Sequence, residues 1–234
     1  MTAIGSTTTD RLYSVTVRDD EDHDEQFVLR EVLLSMVGKI AEDEEGNATS
    51  IESSPVRTLL VTGLTGTGMT YLSSCAANEF ATLYQRLRLE KGLEVSDLDV
   101  ARVISAVEIT ALSGKKLLSF LKDLLKCRFL VIDGMLNLAK YSRSTVSAFN
   151  DFLVLRHDSK RKTVITSSLD PDVLSEILDQ RIKRRLSKRT EARLVLMAGK
   201  PFNESRKSRL IATDGDLKYL FACDGHNESG SENS

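Results

Sequence analysis

Two periodicities of apolar residues alternate along the chain. Leu59, Leu60 and Val61 form a short apolar run of the kind a strand buried on both faces requires. From Thr70 to about Leu89, Leu72, Cys75, Ala76, Phe80, Leu83 and Leu87 fall on one helical stripe. Ala101 to Val107 reads as a strand, Ile109 to Leu125 as a helix around Ser113-Gly114, and Arg128 to Asp133 as an apolar strand ending in a carboxylate. Tyr141 to Arg156 reads as a helix and Thr163 to Ser168 as a further strand, and Pro171 suits the first turn of a short helix capped by Asp170. Strands alternating with helices predict an α/β fold, a parallel, doubly wound sheet of about five strands with helices on both faces. Ligands of such sheets bind beyond the carboxyl ends of the strands, where Gly63, Asp133 and Thr166-Ser167-Ser168 are expected to converge.

The flanks have a different texture. Val28, Val32, Leu33, Met36 and Ile40 give helical spacing to a short segment between two acidic clusters, Asp19-Asp20-Glu21-Asp22 and Glu42-Asp43-Glu44-Glu45. The expected organisation is an acidic segment with one short helix over 1–54, an α/β domain over 55–222 with a small lid or strand pair from Lys200 to Phe221, and a tail over 223–234 whose composition reads as disordered. The net charge of −2 conceals an asymmetry, because residues 1–54 carry 13 acidic and only 4 basic side chains. Such a segment serves as a solvated linker, docks a partner, or competes with nucleic acid for a basic surface.

Composition narrows the class. With 234 residues, 41% hydrophobic and 28% charged, the chain is that of a globular protein. No run approaches the roughly 18 apolar residues of a membrane span, and the N-terminus lacks a basic start followed by an apolar core. A cytoplasmic protein without membrane partners is expected. Cys75, Cys127 and Cys223 lack metal-ligand spacing, and Cys75 and Cys127 read as reduced core thiols.

The chemistry concentrates in residues 63–71. G-x-x-x-x-G-K-[ST], after a buried strand and opening a helix, is the phosphate-loop template. Gly63, Gly68 and Thr70 match it, and Met69 stands where the lysine belongs. Gly63, Thr65, Gly66, Thr67, Gly68, Met69, Thr70 and Tyr71 are therefore the expected phosphate cradle, with backbone N–H groups and a helix N-terminus as anion donors. Thr70 would place its hydroxyl on Mg²⁺, and Asp133 suits the Walker B carboxylate that holds the ion through water. Met69 brings no positive charge to the β- and γ-phosphates. Gly134 follows Asp133 where many ATPases of this type carry a second carboxylate that polarises the attacking water. The densest positive charge, Arg181, Lys183, Arg184, Arg185, Lys188 and Arg189, is read either as an exposed helix face, as a contact for a nucleic-acid backbone, or as a source of an arginine for a neighbouring subunit's nucleotide. Arg156, Lys160, Arg161 and Lys162 form a second basic patch. With no tryptophan and 6% aromatics, recognition by stacked bases is not indicated.

From about Arg57 to Leu196 the chain resembles the AAA+ ATPase domain of bacterial helicase loaders of the DnaC type and their transposition relatives of the IstB type. The resemblance rests on the segments 59–72 and 129–134, extended by Thr163–Pro171 and Asp179–Leu186, in the family's order. It implies ATP or ADP, Mg²⁺, DNA contact, and assembly with like subunits, a replicative helicase or a transposase. It also implies that Ser168 occupies the sensor 1 position, usually asparagine, and that Arg185 stands at the arginine-finger position with Arg181 nearby. Asp133, Ser168 and Arg185 are thus the candidate catalytic positions. Met69, Gly134 and Ser168 depart from the family pattern together. Three readings remain open: a nucleotide-binding AAA+ protein of replication or transposition with weakened or absent hydrolysis, an active DNA-dependent ATPase in which Arg57 or a neighbour's arginine replaces the lysine, or an interaction module on a relic phosphate loop.

Overall fold

A computed structural model describes residues 25–93, 100–135, 142–170, 173, 178–186, 188 and 190–197. Helix α1 (Glu25–Val37) leads into a hairpin of β1 (Lys39–Glu42) and β2 (Ala48–Glu52). Then follow β3 (Thr58–Gly63), α2 (Met69–Glu90), β4 (Ala101–Ser105), α3 (Ala106–Thr110), α4 (Gly114–Leu124), β5 (Phe129–Asp133), α5 (Arg143–Asp158), β6 (Lys162–Ser167), α6 (Gln180–Leu186) and β7 (Ala192–Met197). The five strands β3 to β7 form one parallel sheet in the order β4-β5-β6-β3-β7. This is the expected α/β architecture, one parallel sheet with helices on both faces.

Alternate residues of each strand feed opposite faces, as the pleat requires. Leu60, Ile104, Ile132, Ile165 and Leu194 pack with α4, α5 and α6 on one side. Leu59, Val61, Val131, Val164 and Val195 pack with α1 and α2 on the other. Every one of these is buried, which explains the unbroken apolar runs.

Several elements differ from the sequence expectation. The buried stripe of α1 is Leu29, Leu33, Met36 and Val37, rotated from the expected Val28, Val32, Leu33, Met36 and Ile40. Ile40 lies in β1 opposite Ile51. Glu42 to Glu45 form the end of β1 and its turn, where Asp43 Oδ1 accepts the N–H groups of Glu45 (3.0 Å) and Asn47 (2.8 Å). Those bonds to the Asn47 backbone and its neighbours hold the Asp43 carboxyl below its ordinary range. The strand expected over 101–107 ends at Ser105, because Ser105 and Glu108 form a capping box that starts α3. The single helix expected over 109–125 is two, α3 and α4, with the break at the anticipated Ser113-Gly114. Cys75 and Cys127 are buried and not disulfide-bonded, as expected of core thiols. No helix among the described residues is long and apolar enough to cross a membrane. The short helix expected at Pro171, Cys223, the segment Lys200–Phe221 and the tail from 223 lie outside the described residues.

The second basic patch is mostly spent on the backbone. Arg156 is fully buried, and its guanidinium donates to the carbonyls of Leu124 (2.7 Å), Cys127 (2.9 Å) and Lys162 (2.7 Å) and to Thr163 Oγ1 (2.9 Å). Burial lowers its pKa to about 9, so it stays charged at neutral pH and caps the C-terminal carbonyls of α4. Lys162 Nζ donates to the carbonyls of Ser54 and Val56 (2.8 Å), and Arg161 to those of Lys126 and Cys127.

Two features tie the sheet at its ends, and each generates a prediction. At the C-terminal edge, a Cβ on Gly63 would lie 2.2 Å from Met197 O and 2.5 Å from Met197 Cβ. Gly63→Ala is therefore expected to force β3 from β7 and cost about 1–3 kcal/mol in denaturant unfolding. At the N-terminal edge, buried His157 bridges Thr58 Oγ1 (Nδ1, 3.1 Å) and Glu191 Oε2 (Nε2, 3.0 Å), and Glu191 also pairs with Arg57 at 3.3 Å. Burial pushes the His157 pKa below its ordinary value despite the Glu191 hydrogen bond. The unfolded chain then binds more protons than the folded one, so stability rises with pH; this contribution is present above about pH 6.5 and is lost as pH falls below it. Urea midpoints of the parent should drop between about pH 7.5 and 5.5, and His157→Gln should flatten that dependence. An equal slope in the variant would assign the acid sensitivity elsewhere.

Candidate functional site

The carboxyl ends of β3, β5 and β6 and the start of α2 surround a cavity of about 640 Å³. Its walls include Thr65, Gly66, Gly68, Met69, Thr70 and Tyr71 from the loop, Asp133 and Gly134 from the end of β5, and Thr166, Ser167 and Ser168 from β6. The convergence expected from the sequence is thus present.

The loop is shaped by its glycines. Gly66 (φ 89°) and Gly68 (φ 88°) both lie in the left-handed region that other residues adopt only at a cost of about 1–2 kcal/mol. Gly68 is the N-cap of α2, and the helix begins its own ladder with Leu72 N–H donating to Gly68 O (2.9 Å). Ahead of that bond, the first N–H groups of a 22-residue helix point toward the cavity with its dipole behind them. Thr67 is buried and its hydroxyl donates to Leu64 O (2.9 Å), closing the loop on itself. A polyphosphate chain fits this arrangement: backbone donors at close approach, with no acidic side chain in the first turn of α2.

Asp133 is the polar node beside the cradle. Its Oδ1 accepts both the Thr70 hydroxyl (2.7 Å) and the Thr166 hydroxyl (2.6 Å). Thr166 Oγ1 in turn accepts the Gly134 N–H (3.0 Å), and Thr166 O accepts the Met135 N–H (2.8 Å). A carboxylate and a hydroxyl at hydrogen-bond distance, beside a phosphate cradle, form the oxygen-only set that suits Mg²⁺ with waters and phosphate completing its shell. Thr70 and Asp133 are the residues that could hold the ion.

Met69 is only 8% exposed and belongs to the buried apolar cluster that also holds Leu29, Leu33, Leu72 and Met197, while still contributing to the cavity wall. An apolar side chain anchors the loop where a lysine would reach the phosphates. Gly134 has φ 69°, so the position after Asp133 holds a backbone conformation a glutamate adopts poorly. Ser168 is exposed on the cavity wall, one residue past the end of β6. Ser167 is buried instead, donating to Met135 O (2.9 Å) and accepting from Leu169 N–H (3.0 Å).

The basic run does not join this site. Arg185 pairs with Asp158 through Nε (2.7 Å) and Nη2 (2.6 Å), and its neighbours are Thr58 and His157 at the N-terminal edge of the sheet. One strand length, roughly 17 Å, separates that edge from the phosphate loop of the same chain. Arg181 pairs with Asp151 (2.7 Å) and Asp179 (2.6 Å). The hydrogen bonds lower the Asp158 pKa and raise that of Arg185, so both pairs stay ionised. Lys188 approaches Glu191 at 3.8 Å, Lys183 is half-buried, Arg184 is exposed, and Arg189 lies outside the described residues. Arg57, the expected substitute for the lysine, precedes β3 and pairs with Glu191 at the same far edge. It cannot reach the loop of its own chain.

One residue at the site carried no sequence signal, and another carried only part of its signal. Gln26 of α1 donates from Nε2 to Thr67 O (3.1 Å) and lines the cavity, although it lies 41 positions before Thr67. Thr166 stood in the expected polar cluster, yet only the pairing of β5 with β6 makes it the partner of Asp133.

A comparison with curated proteins yields no match. Among solved structures, the chain is similar to AMPPCP-bound DnaA from Aquifex aeolicus, with 17% identity, TM-score 0.46, and coverage of 72% of this chain and 44% of that one. It is similar to domain III of the replication initiation protein DnaA from Thermotoga maritima, with 21% identity, TM-score 0.46, and coverage of 65% and 59%. A DnaI structure gives 17% identity, TM-score 0.49, and coverage of 82% and 94%. The chain thus spans less than two thirds of the length of either DnaA chain. The model of the bacterial DnaA ATPase domain matches residues 37–192, two thirds of the sequence, from the hairpin through the phosphate loop and Asp133 to the start of β7. The chain belongs to the bacterial DnaA ATPase domain family.

Proposed function

We propose that this protein is a nucleotide-binding AAA+ component of DNA replication in which hydrolysis is weak or absent, acting through DNA and protein contacts. The observation that carries the reading lies at the loop: the backbone cradle and the Thr70–Asp133 pair have the geometry to bind phosphate and Mg²⁺, while methionine and glycine stand at the two positions that would drive hydrolysis. Ground-state binding draws on the backbone cradle of Gly66 to Thr70 and on the Thr70–Asp133 pair, both intact in geometry. Turnover needs a cation on the β- and γ-phosphates and a group that orients the attacking water. Met69 and Gly134 supply neither. ATP or ADP with Mg²⁺ is the cofactor this arrangement fits. Family membership supports a role in replication over one in transposition. A replicative helicase, DNA and like subunits are the partners the reading entails. Arg185 serves a neighbouring subunit's nucleotide only after release from Asp158.

Calorimetry with ATP, with and without Mg²⁺, tests this directly. The parent is expected to bind Mg·ATP with turnover at or below background. Met69→Lys is expected to bind roughly tenfold tighter, a gain of about 1.4 kcal/mol. Failure of both to bind would reject the nucleotide reading; rapid hydrolysis by the parent would reject the detuned one. Gly134→Glu is expected to fail as a restoration of activity on its own and to cost about 1 kcal/mol of stability from the left-handed backbone it inherits. Turnover in that single variant would show that the strand end rearranges freely.

A further inference from the structure

The end of α2 remote from the phosphate loop opens onto a second cavity, of about 530 Å³, between the β1–β2 hairpin and the turn from α5 to β6. Six cations line it: Arg88, Lys91, Arg128, Lys160, Arg161 and Lys162. None of its described lining residues is acidic. Several of the cations are positioned by groups that leave their charge intact. Lys91 Nζ donates to Thr49 O (2.7 Å), Lys162 and Arg161 donate to backbone carbonyls, and the Arg128 guanidinium lies 4.8 Å from the centre of the Tyr84 ring. This is the reverse of α6, where Arg181 and Arg185 are each bound to aspartates. Burial, with a smaller contribution from Arg57, pulls the Lys162 pKa down to about 8. Six cations facing one cavity give it a positive potential that attracts an anion.

The remaining walls say which anion. Thr49, Ser50, Ser53 and Ser159 add hydroxyls, which suit phosphate oxygens. No asparagine, glutamine, aspartate or glutamate is among the described lining residues, so the groove lacks the side chains that recognise adenine and cytosine edges, and its cations and hydroxyls suit phosphate oxygens. Tyr84 is covered by Phe80 (stacked, centroids 6.2 Å apart) and by Arg128, leaving no ring face for base stacking. A free nucleotide would have no partner for its base. The cations come in two banks, Arg88 and Lys91 on one helix end, and Arg128 with Lys160–Lys162 at the starts of β5 and β6. The 22 residues of α2 place the groove about 33 Å from the phosphate loop, so both sites can be filled at once.

We infer that this groove holds the phosphate backbone of a nucleic-acid strand by charge, without reading its sequence. The inference rests on the DNA contact proposed above and moves it from the Arg181–Arg189 run to the opposite flank of α5.

Fluorescence anisotropy of the full chain with a labelled single-stranded oligonucleotide of about 15 nucleotides tests it between roughly 50 and 200 mM salt. The neutralising variant is Lys91→Gln/Arg128→Gln/Lys160→Asn. Asparagine is chosen because Lys160 has φ 56°, which asparagine tolerates, so the fold is not weakened there. Loss of three phosphate contacts is expected to reduce the slope of log K against log salt by about 2 and affinity at least roughly tenfold. The charge-conserving variant Lys91→Arg/Arg128→Lys is expected to keep the parent's slope. Equal loss in both variants would overturn the electrostatic inference, as would an unchanged slope in the neutralised one. A loss seen only with Arg184→Gln/Lys188→Gln would defeat the groove while sparing DNA contact as the mode of action. No binding by the parent would defeat both. Inorganic tripolyphosphate forms the second arm: its binding, lost in the neutralised variant while the oligonucleotide fails to bind the parent, would overturn the strand reading in favour of a free polyphosphate.

Discussion

The buried guanidinium of Arg156 is the constraint from which the functional edge of the sheet is set. A charge removed from water without a carboxylate is costly unless its donors are satisfied. Here four bonds reach three joints: the end of α4, the turn before β5, and, with two of them, the first residues of β6. Those bonds bring the starts of β5 and β6 together, with Phe129 opposite Lys162. Four residues further along the same two strands, Asp133 arrives beside Thr166. The polar node at one edge is therefore registered by a cation buried near the other. It also explains why α5 ends in Arg156-His157-Asp158: the first fixes β5 to β6, the second joins β3 to Glu191 before β7, and the third holds α6 through Arg185.

The three departures from the family pattern have different physical characters. At position 69 an apolar side chain has been absorbed into the layer between α1 and α2, so the change is one of packing as well as charge. At 134 the backbone itself has moved into the left-handed region, and the missing acid is a matter of conformation. Ser168 sits free of such commitments on the cavity wall. In the function proposed above, binding and hydrolysis depend on different subsets of one site, and the backbone loop and the Thr70–Asp133 pair make up the binding subset.

The sheet was legible in the sequence because its strands are buried on both faces and its connections carry strong punctuation. Leu59–Val61 and Phe129–Ile132 admit few readings once Gly63 and Asp133 end them. The loop and Asp133 were legible for the same reason. The face of α1 was not, since Val28, Leu29, Val32 and Leu33 offer two overlapping stripes and only contact with α2 chooses between them. Arg156 and Lys162 read as a basic patch and Arg57 as a candidate substitute for the lysine, because composition cannot show that a cation is facing carbonyls or a partly buried glutamate. Gln26 was invisible because its role depends on how α1 lies across the loop, a contact between distant parts of the chain.

The burial of Met69 ties the chemistry of the loop to the stability of the fold. A methionine exposed in the cavity would be exchanged for lysine at little cost in packing. One buried in the cluster that holds Leu29 and Leu33 is part of what seats α1, and natural proteins stand only a little above the stability they need. A lysine at position 69 would bring a charge into that buried cluster and loosen the seat of the N-terminal helix. The side chain that decides what the phosphates meet is thus also one that the fold leans on, and the two roles cannot be altered separately.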